Sequence, residues 1–170
     1  MLSVVRANVV PKRVPADMTS ALTIQAPPGR RIGLLGGSFN PAHEGHIHIS
    51  ELALKVLKLD EIWWLVTPQN PLKPEHGMGA LEDRLASAGK LATGHAITAT
   101  DIEVQLGTRY TADTLAALKQ KFEGVNFVWL MGADNLIQVD QWARWPEIFE
   151  TVPVAVFARP EYSEAAENAK

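Results

Sequence analysis

The sequence of 170 residues has no cysteine, little net charge and no long apolar run. Without cysteine, this chain has no disulfide, no thiolate zinc ligand and no cysteine nucleophile. A formal net charge of -3 provides no broad positive field of the kind that binds nucleic acid or anionic membrane. The apolar runs are too short to span a bilayer, and the amino-terminal part lacks the apolar stretch of a secretory signal. These absences predict a cytoplasmic protein that binds neither nucleic acid nor membrane.

The composition is that of one globular domain. The hydrophobic fraction of 46% and the charged fraction of 21% are ordinary for a soluble protein, and the length suffices for one core. Residues 1–29 lack sustained periodicity and end in a Pro-Pro-Gly turn, which predicts a mobile extension. The domain is expected over residues 30–160, followed by a polar tail over residues 161–170 that has the character of a truncated carboxyl terminus.

Short apolar runs alternate with amphipathic stretches along this domain. Strands are predicted at Ile32–Leu35, Ile62–Val66, Ile97–Ile102, Val125–Met131 and Val154–Ala158. The intervening stretches carry apolar residues at helical spacing, and Thr111 is a candidate N-cap for one of these helices. Because parallel neighbours need long crossover connections, this alternation predicts a doubly wound, mostly parallel α/β sheet.

The most distinctive polar residues follow three of the predicted strands. They lie in Gly36–His46, Thr67–Lys73 and Gly132–Asn135. In doubly wound sheets, ligands bind beyond the carboxyl ends of the strands, where the strand order reverses. The sequence therefore predicts one ligand site built from these three segments.

The segment Gly36–His46 reads GGSFNPAHEGH and has the residues that a phosphate site needs. Glycines allow a ligand to approach the backbone closely, and the following helix N-terminus favours an anion. His43 and His46 are three residues apart, so both imidazoles can donate hydrogen bonds to one phosphate from the first helical turn. The alternatives are ordinary polar surface, or a metal site that adds His48.

The same segment resembles the GGxFxPxHxGH signature of the HxGH nucleotidyltransferase superfamily. Further matches follow in order: TPQNPLK at residues 67–73, YTADTL at 110–115, GADN at 132–135, Trp142 with Trp145, and Arg159-Pro160. Together these matches, over residues 31–160, resemble the nicotinate mononucleotide adenylyltransferase family. The resemblance implies a Rossmann-like nucleotidyltransferase fold. It also implies an enzyme of NAD biosynthesis that transfers the adenylyl group from ATP to nicotinic acid mononucleotide, giving nicotinic acid adenine dinucleotide and pyrophosphate.

Roles for single residues also come from the resemblance. His43 and His46 would be catalytic, with His46 the main contributor to transition-state stabilisation. The implied ATP site consists of Gly36, Gly37, Ser38, Phe39, His43, His46, Asp134 and Arg159. Lys73, Thr111 and Trp142 would bind the mononucleotide, the indole by stacking on the pyridine ring. Magnesium would arrive with ATP, and no residue is expected to ligate a metal.

Several of these residues have simpler alternative roles. Asp134 is also a candidate N-cap for the next helix. Lys73 and Arg159 could be ordinary surface cations. Trp63, Trp64 and Trp145 are assigned to the core or to an interface rather than to the ligand.

One expected element of the family is missing. Its second phosphate-binding signature, ISxTxxR, does not occur in this chain. This keeps open a nucleotide-binding module without catalysis, beside another adenylyltransferase such as pantetheine-phosphate adenylyltransferase, which shares the first motif. Homo-oligomer formation is also left open.

Overall fold

The structure, a computed structural model, describes residues 24–68 and 77–158. Its five strands are β1 (Arg31–Gly37), β2 (Glu61–Val66), β3 (Ile97–Thr100), β4 (Asn126–Gly132) and β5 (Val154–Phe157). They form one sheet in the order β3-β2-β1-β4-β5, and every neighbouring pair is parallel. Since β1 is central and the chain crosses first to one side and then to the other, the prediction of a doubly wound parallel sheet is confirmed.

Helices cover both faces of this sheet. They are α1 (Glu44–Val56), α2 (Leu81–Ala92), α3 (Ile102–Leu106), α4 (Thr111–Lys121), α5 (Ala133–Ile137) and α6 (Trp145–Thr151), with a short 3-10 helix at Val139–Gln141. Side chains of a strand alternate between faces, so Trp63 and Trp64 of β2 enter two separate cores. Trp63 packs in the core that contains Leu115 of α4, and Trp64 packs in the core that contains Ile49 of α1.

The third predicted strand is too long. It ends at Thr100, and Ile102 begins α3. The chain turns at Asp101, whose backbone carbonyl accepts a hydrogen bond from the amide of Val104. Ile102 is fully buried in the helix, as the predicted strand would also have required. An apolar run therefore could not distinguish a strand from a short helix here. The helices α3 and α6 were not predicted, and α5 was considered only as the helix that Asp134 would cap.

The predicted N-cap is also wrong, and the three tryptophans assigned away from the ligand differ in burial. Thr111 is the first residue of α4, and Tyr110 is the N-cap, with no hydrogen bond from its side chain. Trp63 and Trp64 are fully buried as predicted, whereas Trp145 is 37% exposed and meets only the edge of Phe149 among the aromatic rings of the described residues. An apolar ring at the start of a surface helix did not need to enter the core.

Part of the predicted mobile extension is packed onto the domain. Ile24 is buried in the core that contains Trp63, and the amide of Gly29 donates a hydrogen bond to the carbonyl of Gly124 at 2.8 Å. The packed domain therefore starts before the predicted boundary at Arg30. Residues 1–23 and the predicted tail lie outside the described residues. None of the described helices has the length and apolarity that a bilayer crossing needs.

Candidate active site

A cleft of about 600 Å³ opens at the carboxyl edge of the sheet, where the chain leaves β1 and β4. Crossovers from the central strand diverge there, which is where doubly wound sheets bind ligands. Nine of the predicted site residues line it: Gly36, Gly37, Ser38, Phe39, His43, His46, Thr111, Asp134 and Trp142. Lys73 and Arg159 lie outside the described residues. The fold thus brings segments that are almost a hundred residues apart in sequence into one cavity.

The two histidines form the amino-terminal cap of α1. The Nδ1 atom of His43 accepts a hydrogen bond from the amide of Gly45 at 3.1 Å, and the Nδ1 atom of His46 accepts one from the amide of His43 at 3.0 Å. A neutral imidazole has one protonated and one unprotonated nitrogen. Both neutral rings therefore carry their proton on Nε2, which suits them to donate hydrogen bonds to phosphate oxygens.

The His46 ring is held between aromatic neighbours. Its centroid lies 4.1 Å from that of His43, 4.5 Å from that of Phe39 and 5.8 Å from that of Trp64. The indole of Trp64 donates to the hydroxyl of Ser50 at 2.8 Å, and that hydroxyl donates to the backbone carbonyl of His46 at 2.8 Å. Phe39 is only 2% exposed, so its ring supports His46 and offers little surface to a ligand.

Gly36 and Gly37, at the end of β1, are explained by different features of the structure. A Cβ atom added to Gly36 would lie 2.7 Å from the indole of Trp129, so packing alone requires glycine there. A Cβ atom added to Gly37 would make only ordinary contacts with Phe39. Because packing does not require glycine at position 37, that glycine fits a role in leaving room for a ligand near the backbone.

The remaining predicted residues come from the segments after β3 and β4. Thr111 lies at the start of α4, and Trp142 follows the 3-10 helix and is half-buried. Asp134 lies in the first turn of α5, whose N-cap is Gly132 without any side-chain hydrogen bond. The alternative that Asp134 caps this helix is therefore wrong, and its carboxyl group belongs to the cleft wall.

A buried carboxyl group in the cleft wall was missed from the sequence. Glu103 of α3 is 8% exposed, and its Oε2 accepts a hydrogen bond from the hydroxyl of Thr114 at 3.0 Å. That hydroxyl also shares a hydrogen bond of 2.8 Å with Thr108. Burial raises the pKa of Glu103 from 4.5 to about 7, against the opposing effect of the Thr114 hydrogen bond. Extending the predicted strand to Ile102 had hidden this residue, which stands just past the strand end.

A cation in the cleft was also given no role. Arg109 is exposed, lines the cleft, and places its guanidinium carbon 5.6 Å from the ring centroid of Tyr110. Among the described residues that line the cleft, it is the only lysine or arginine. Its position directly before the YTADTL match was the available signal. A negatively charged ligand in this cleft would meet Arg109 and the two histidines.

The described residues offer no metal site that uses the histidine pair. His48 is exposed and does not line the cleft. Within the described ranges, no three histidine, cysteine or acidic side chains are grouped closely enough to hold a metal ion. Glu103 and Asp134 are the only carboxylates among the described residues that line the cleft.

Comparisons with known proteins agree with this geometry. A sequence profile of the cytidylyltransferase-like family matches residues 34–170. The protein of Parvibaculum lavamentivorans named probable nicotinate-nucleotide adenylyltransferase is 60% identical over 136 residues, which cover 80% of this chain and 68% of that protein. The protein of the same name from Gluconobacter oxydans is 55% identical over 130 residues, which cover 76% of this chain and 67% of that protein.

A solved structure shares the fold at much lower identity. It is the Plasmodium falciparum nicotinic acid mononucleotide adenylyltransferase complexed with NaAD, with a TM-score of 0.62 and 16% identity. The match covers 77% of this chain and 76% of that one. From the profile and the close relatives, this chain belongs to the nicotinate-nucleotide adenylyltransferases of the cytidylyltransferase-like family.

Proposed function

We propose that this chain transfers the adenylyl group of ATP to nicotinic acid mononucleotide, as an enzyme of NAD biosynthesis. The observation that carries the proposal is the pair of histidines whose Nδ1 atoms accept backbone amides, which shares one cleft with Thr111 and Trp142. The relatives at 60% and 55% identity support the same acceptor through their names. The structural relative from Plasmodium falciparum was solved as a complex with NaAD, which supports the same product.

The reaction needs no protein nucleophile. A phosphate oxygen of the mononucleotide forms a bond to the α-phosphorus of ATP, the bond from that phosphorus to the bridging oxygen breaks, and pyrophosphate leaves with the electron pair. Positioning and stabilisation of developing negative charge can supply most of the catalysis in such transfers. His43 and His46 are proposed to donate Nε2 protons in hydrogen bonds to the ATP phosphates, with His46 acting most strongly in the transition state.

The rest of the proposed ATP site follows from the cleft. Gly37 and Ser38 bring backbone close to the phosphates, Gly36 makes room for Trp129 behind them, and Phe39 supports His46. Asp134 is proposed to bind the nucleotide from the start of α5. Arg159 is retained as a proposed cation near the nucleotide on the strength of the motif match.

The proposed acceptor site lies along the same cleft. Trp142 provides an aromatic face for the pyridine ring, and Thr111 provides a hydroxyl beside it. Lys73 is retained in the proposal as a cation for the mononucleotide phosphate. Arg109, which lines the cleft, adds a positive charge beside this anionic ligand.

Magnesium is proposed to enter with ATP, and the enzyme to work in the cytoplasm. Two carboxylates in the cleft do not form a dedicated cage, which fits an ion held mainly by the triphosphate. The ion, when bound, would neutralise phosphate charge, and Asp134 or Glu103 could contact it or its waters. No nucleic acid or membrane partner is proposed.

The test is pyrophosphate release by the purified chain with Mg-ATP and one of three acceptors: nicotinic acid mononucleotide, nicotinamide mononucleotide or phosphopantetheine. We expect turnover with the nicotinate substrate above that with the other two. Turnover with phosphopantetheine alone would replace the proposal by a pantetheine-phosphate adenylyltransferase. Binding of ATP without turnover with any acceptor would favour a non-catalytic nucleotide-binding module.

A further inference from the structure

A buried arginine behind the cleft binds four backbone carbonyls. Arg84 of α2 is 4% exposed. Its Nε donates to Gly79 O at 2.8 Å, and its Nη1 donates to Ser38 O at 2.8 Å and to Thr67 O at 2.7 Å. Its Nη2 donates to Pro68 O at 3.1 Å. Within the described part of the chain, no carboxylate forms a salt bridge with it.

These carbonyls belong to three separate segments at the carboxyl edge of the sheet. Ser38 follows β1, Thr67 and Pro68 follow β2, and Gly79 precedes α2. Ser38 and Thr67 line the cleft, whereas Arg84 does not. Arg84 therefore contacts the cleft only through the backbone of its neighbours.

Other hydrogen bonds join the same segments. The side chain of Asn40 accepts from Gly79 N at 3.1 Å and donates to Gly77 O at 3.2 Å. The amide of Thr67 donates to Gly37 O at 2.9 Å. The loop that carries the two histidines is thus fastened to the end of β2 and to the start of α2 at several points.

Burial of the Arg84 guanidinium costs desolvation free energy. Taking a guanidinium out of water opposes the charged form and lowers the pKa of Arg84 below its ordinary value. An apolar side chain of similar volume would avoid this desolvation cost but would leave the four carbonyls without these donors. An arginine differs in having donors at fixed angles, which hold several carbonyls in one mutual arrangement.

We propose that Arg84 is a positioning residue for adenylyl transfer, which sets the histidine loop and the end of β2 at their working separation across the cleft. This inference rests on the proposed function for its catalytic consequence. It assigns Arg84 no contact with substrate, because the side chain acts through the carbonyls of Ser38 and Thr67.

The test compares Arg84→Lys with Ala88→Gly. Lysine keeps the charge but cannot hold four carbonyls in a fixed fork. Ala88 is fully buried on the same helix, and glycine there destabilises α2 without touching the loops. We expect Arg84→Lys to lower kcat about 100-fold, since small misplacements of reacting groups carry such costs. Ala88→Gly, although it lowers the melting temperature, should keep kcat within about threefold of the parent.

Hydrogen exchange gives a measurement that needs no turnover. Arg84→Lys should speed amide exchange in residues 36–40 and at Thr67 and Gly79, and Ala88→Gly should not. Faster exchange there with a lowered kcat supports the inference. An unchanged kcat in folded Arg84→Lys overturns it, whatever the exchange shows.

The failure of the proposed function can be told apart from the failure of this inference. If the parent chain turns over no acceptor, the proposed function fails, and exchange together with ATP binding still reports on Arg84. Faster exchange with weaker ATP binding would then support the positioning role, and unchanged exchange would overturn it.

A second variant covers the case in which Arg84→Lys does not fold. Asn40→Ala removes the neighbouring attachment from an exposed position. It should speed exchange at Gly79, whose amide donates to Asn40, and lower kcat about tenfold. Unchanged kcat and exchange in this variant would overturn the inference.

Discussion

At the scale of single residues, the proposed chemistry of the cleft depends on hydrogen bonds that select one tautomer of each histidine. His43 and His46 each use Nδ1 to accept a backbone amide, which leaves Nε2 as the protonated nitrogen of the neutral ring. The same bonds begin α1, so the helix cap and the proposed phosphate donors are one structure. A change in either imidazole therefore affects both helix and chemistry, and controls must separate the two.

The first prediction concerns His46. His46→Ala should lower kcat for pyrophosphate release by about 100-fold or more, because it removes a donor to charge that develops in the transition state. His48→Ala is the matched control, since His48 is exposed on the same helix and does not line the cleft. An unchanged kcat in His46→Ala, at a melting temperature near that of the control, would remove His46 from the mechanism.

The second prediction concerns Trp142. Trp142→Ala should raise KM for nicotinic acid mononucleotide about tenfold, since a stacked aromatic contact contributes on the order of 1 kcal/mol. The KM for ATP should change less. Trp145→Ala is the control, because that indole is exposed and lies outside the cleft lining. Equal effects of the two variants on the mononucleotide KM would contradict the stacking role.

The third prediction concerns pH and Glu103. Its folded-state pKa of about 7 exceeds the ordinary 4.5, so the folded chain binds this proton more tightly than the unfolded chain. Its contribution to stability is therefore full below about pH 4.5 and is lost as pH rises toward 7. Glu103→Gln, which stays neutral, should gain stability relative to the parent over that interval, by up to about 3 kcal/mol.

Urea unfolding of the parent and of Glu103→Gln from pH 5 to pH 8 measures this difference in the free energy of unfolding. Other groups titrate equally in the two chains, so the difference isolates Glu103. A difference that stays constant across the range would show that Glu103 titrates normally in the folded chain.

At the scale of elements, the end of β1 is where packing and ligand binding meet. β1 pairs with β2 and β4 and leads directly to the loop before α1. The indole of Trp129 from β4 fills the space beside Gly36. The histidine loop therefore starts from a strand whose position is set on both sides.

The fourth prediction follows from that packing. Gly36→Ala would place a Cβ atom 2.7 Å from a rigid buried ring, so β1 or Trp129 must shift. We expect a loss of about 1–3 kcal/mol in unfolding free energy, with reduced kcat. Gly89→Ala in α2, where the added Cβ meets nothing within 4 Å, should instead be neutral or stabilising. Chemical denaturation of both variants checks this, and a neutral Gly36→Ala would contradict the close packing.

At the scale of the whole molecule, the parallel sheet brings distant segments to one edge. The histidine loop, the start of α4 and the segment after β4 meet in a single cleft. Each is short and polar, and none forms a site by itself. The topology therefore builds a cleft that no single motif could form alone.

The fifth prediction concerns magnesium removal. Chelation should abolish pyrophosphate release, because the proposed ion neutralises the charge of the triphosphate. The melting temperature of the chain without ATP should stay the same, since the described residues hold no group of metal ligands. A fall in melting temperature on chelation would indicate a structural metal instead.

Much of the fold was readable because apolar periodicity reports burial directly. All five strands were predicted near their observed positions, and both buried tryptophans of β2 were assigned to the core. Prediction failed where local signals are ambiguous: Ile102 is as apolar as a strand residue, yet it begins a helix. The buried state of Glu103 depends on packing between α3 and α4, which no local pattern encodes.

By itself, the sequence determined the alternating fold, the order of the motifs and which side chains are proposed as phosphate donors. These follow from local chemistry: strand and helix periodicity, glycine at a strand end, and imidazoles at a helix start. The tautomers of His43 and His46 follow from local contacts within the cap of α1. Only the tertiary structure decided the raised pKa of Glu103 and the four carbonyls held by Arg84. Each of these depends on which groups meet after the chain crosses the sheet, and those distances exist only in the folded molecule.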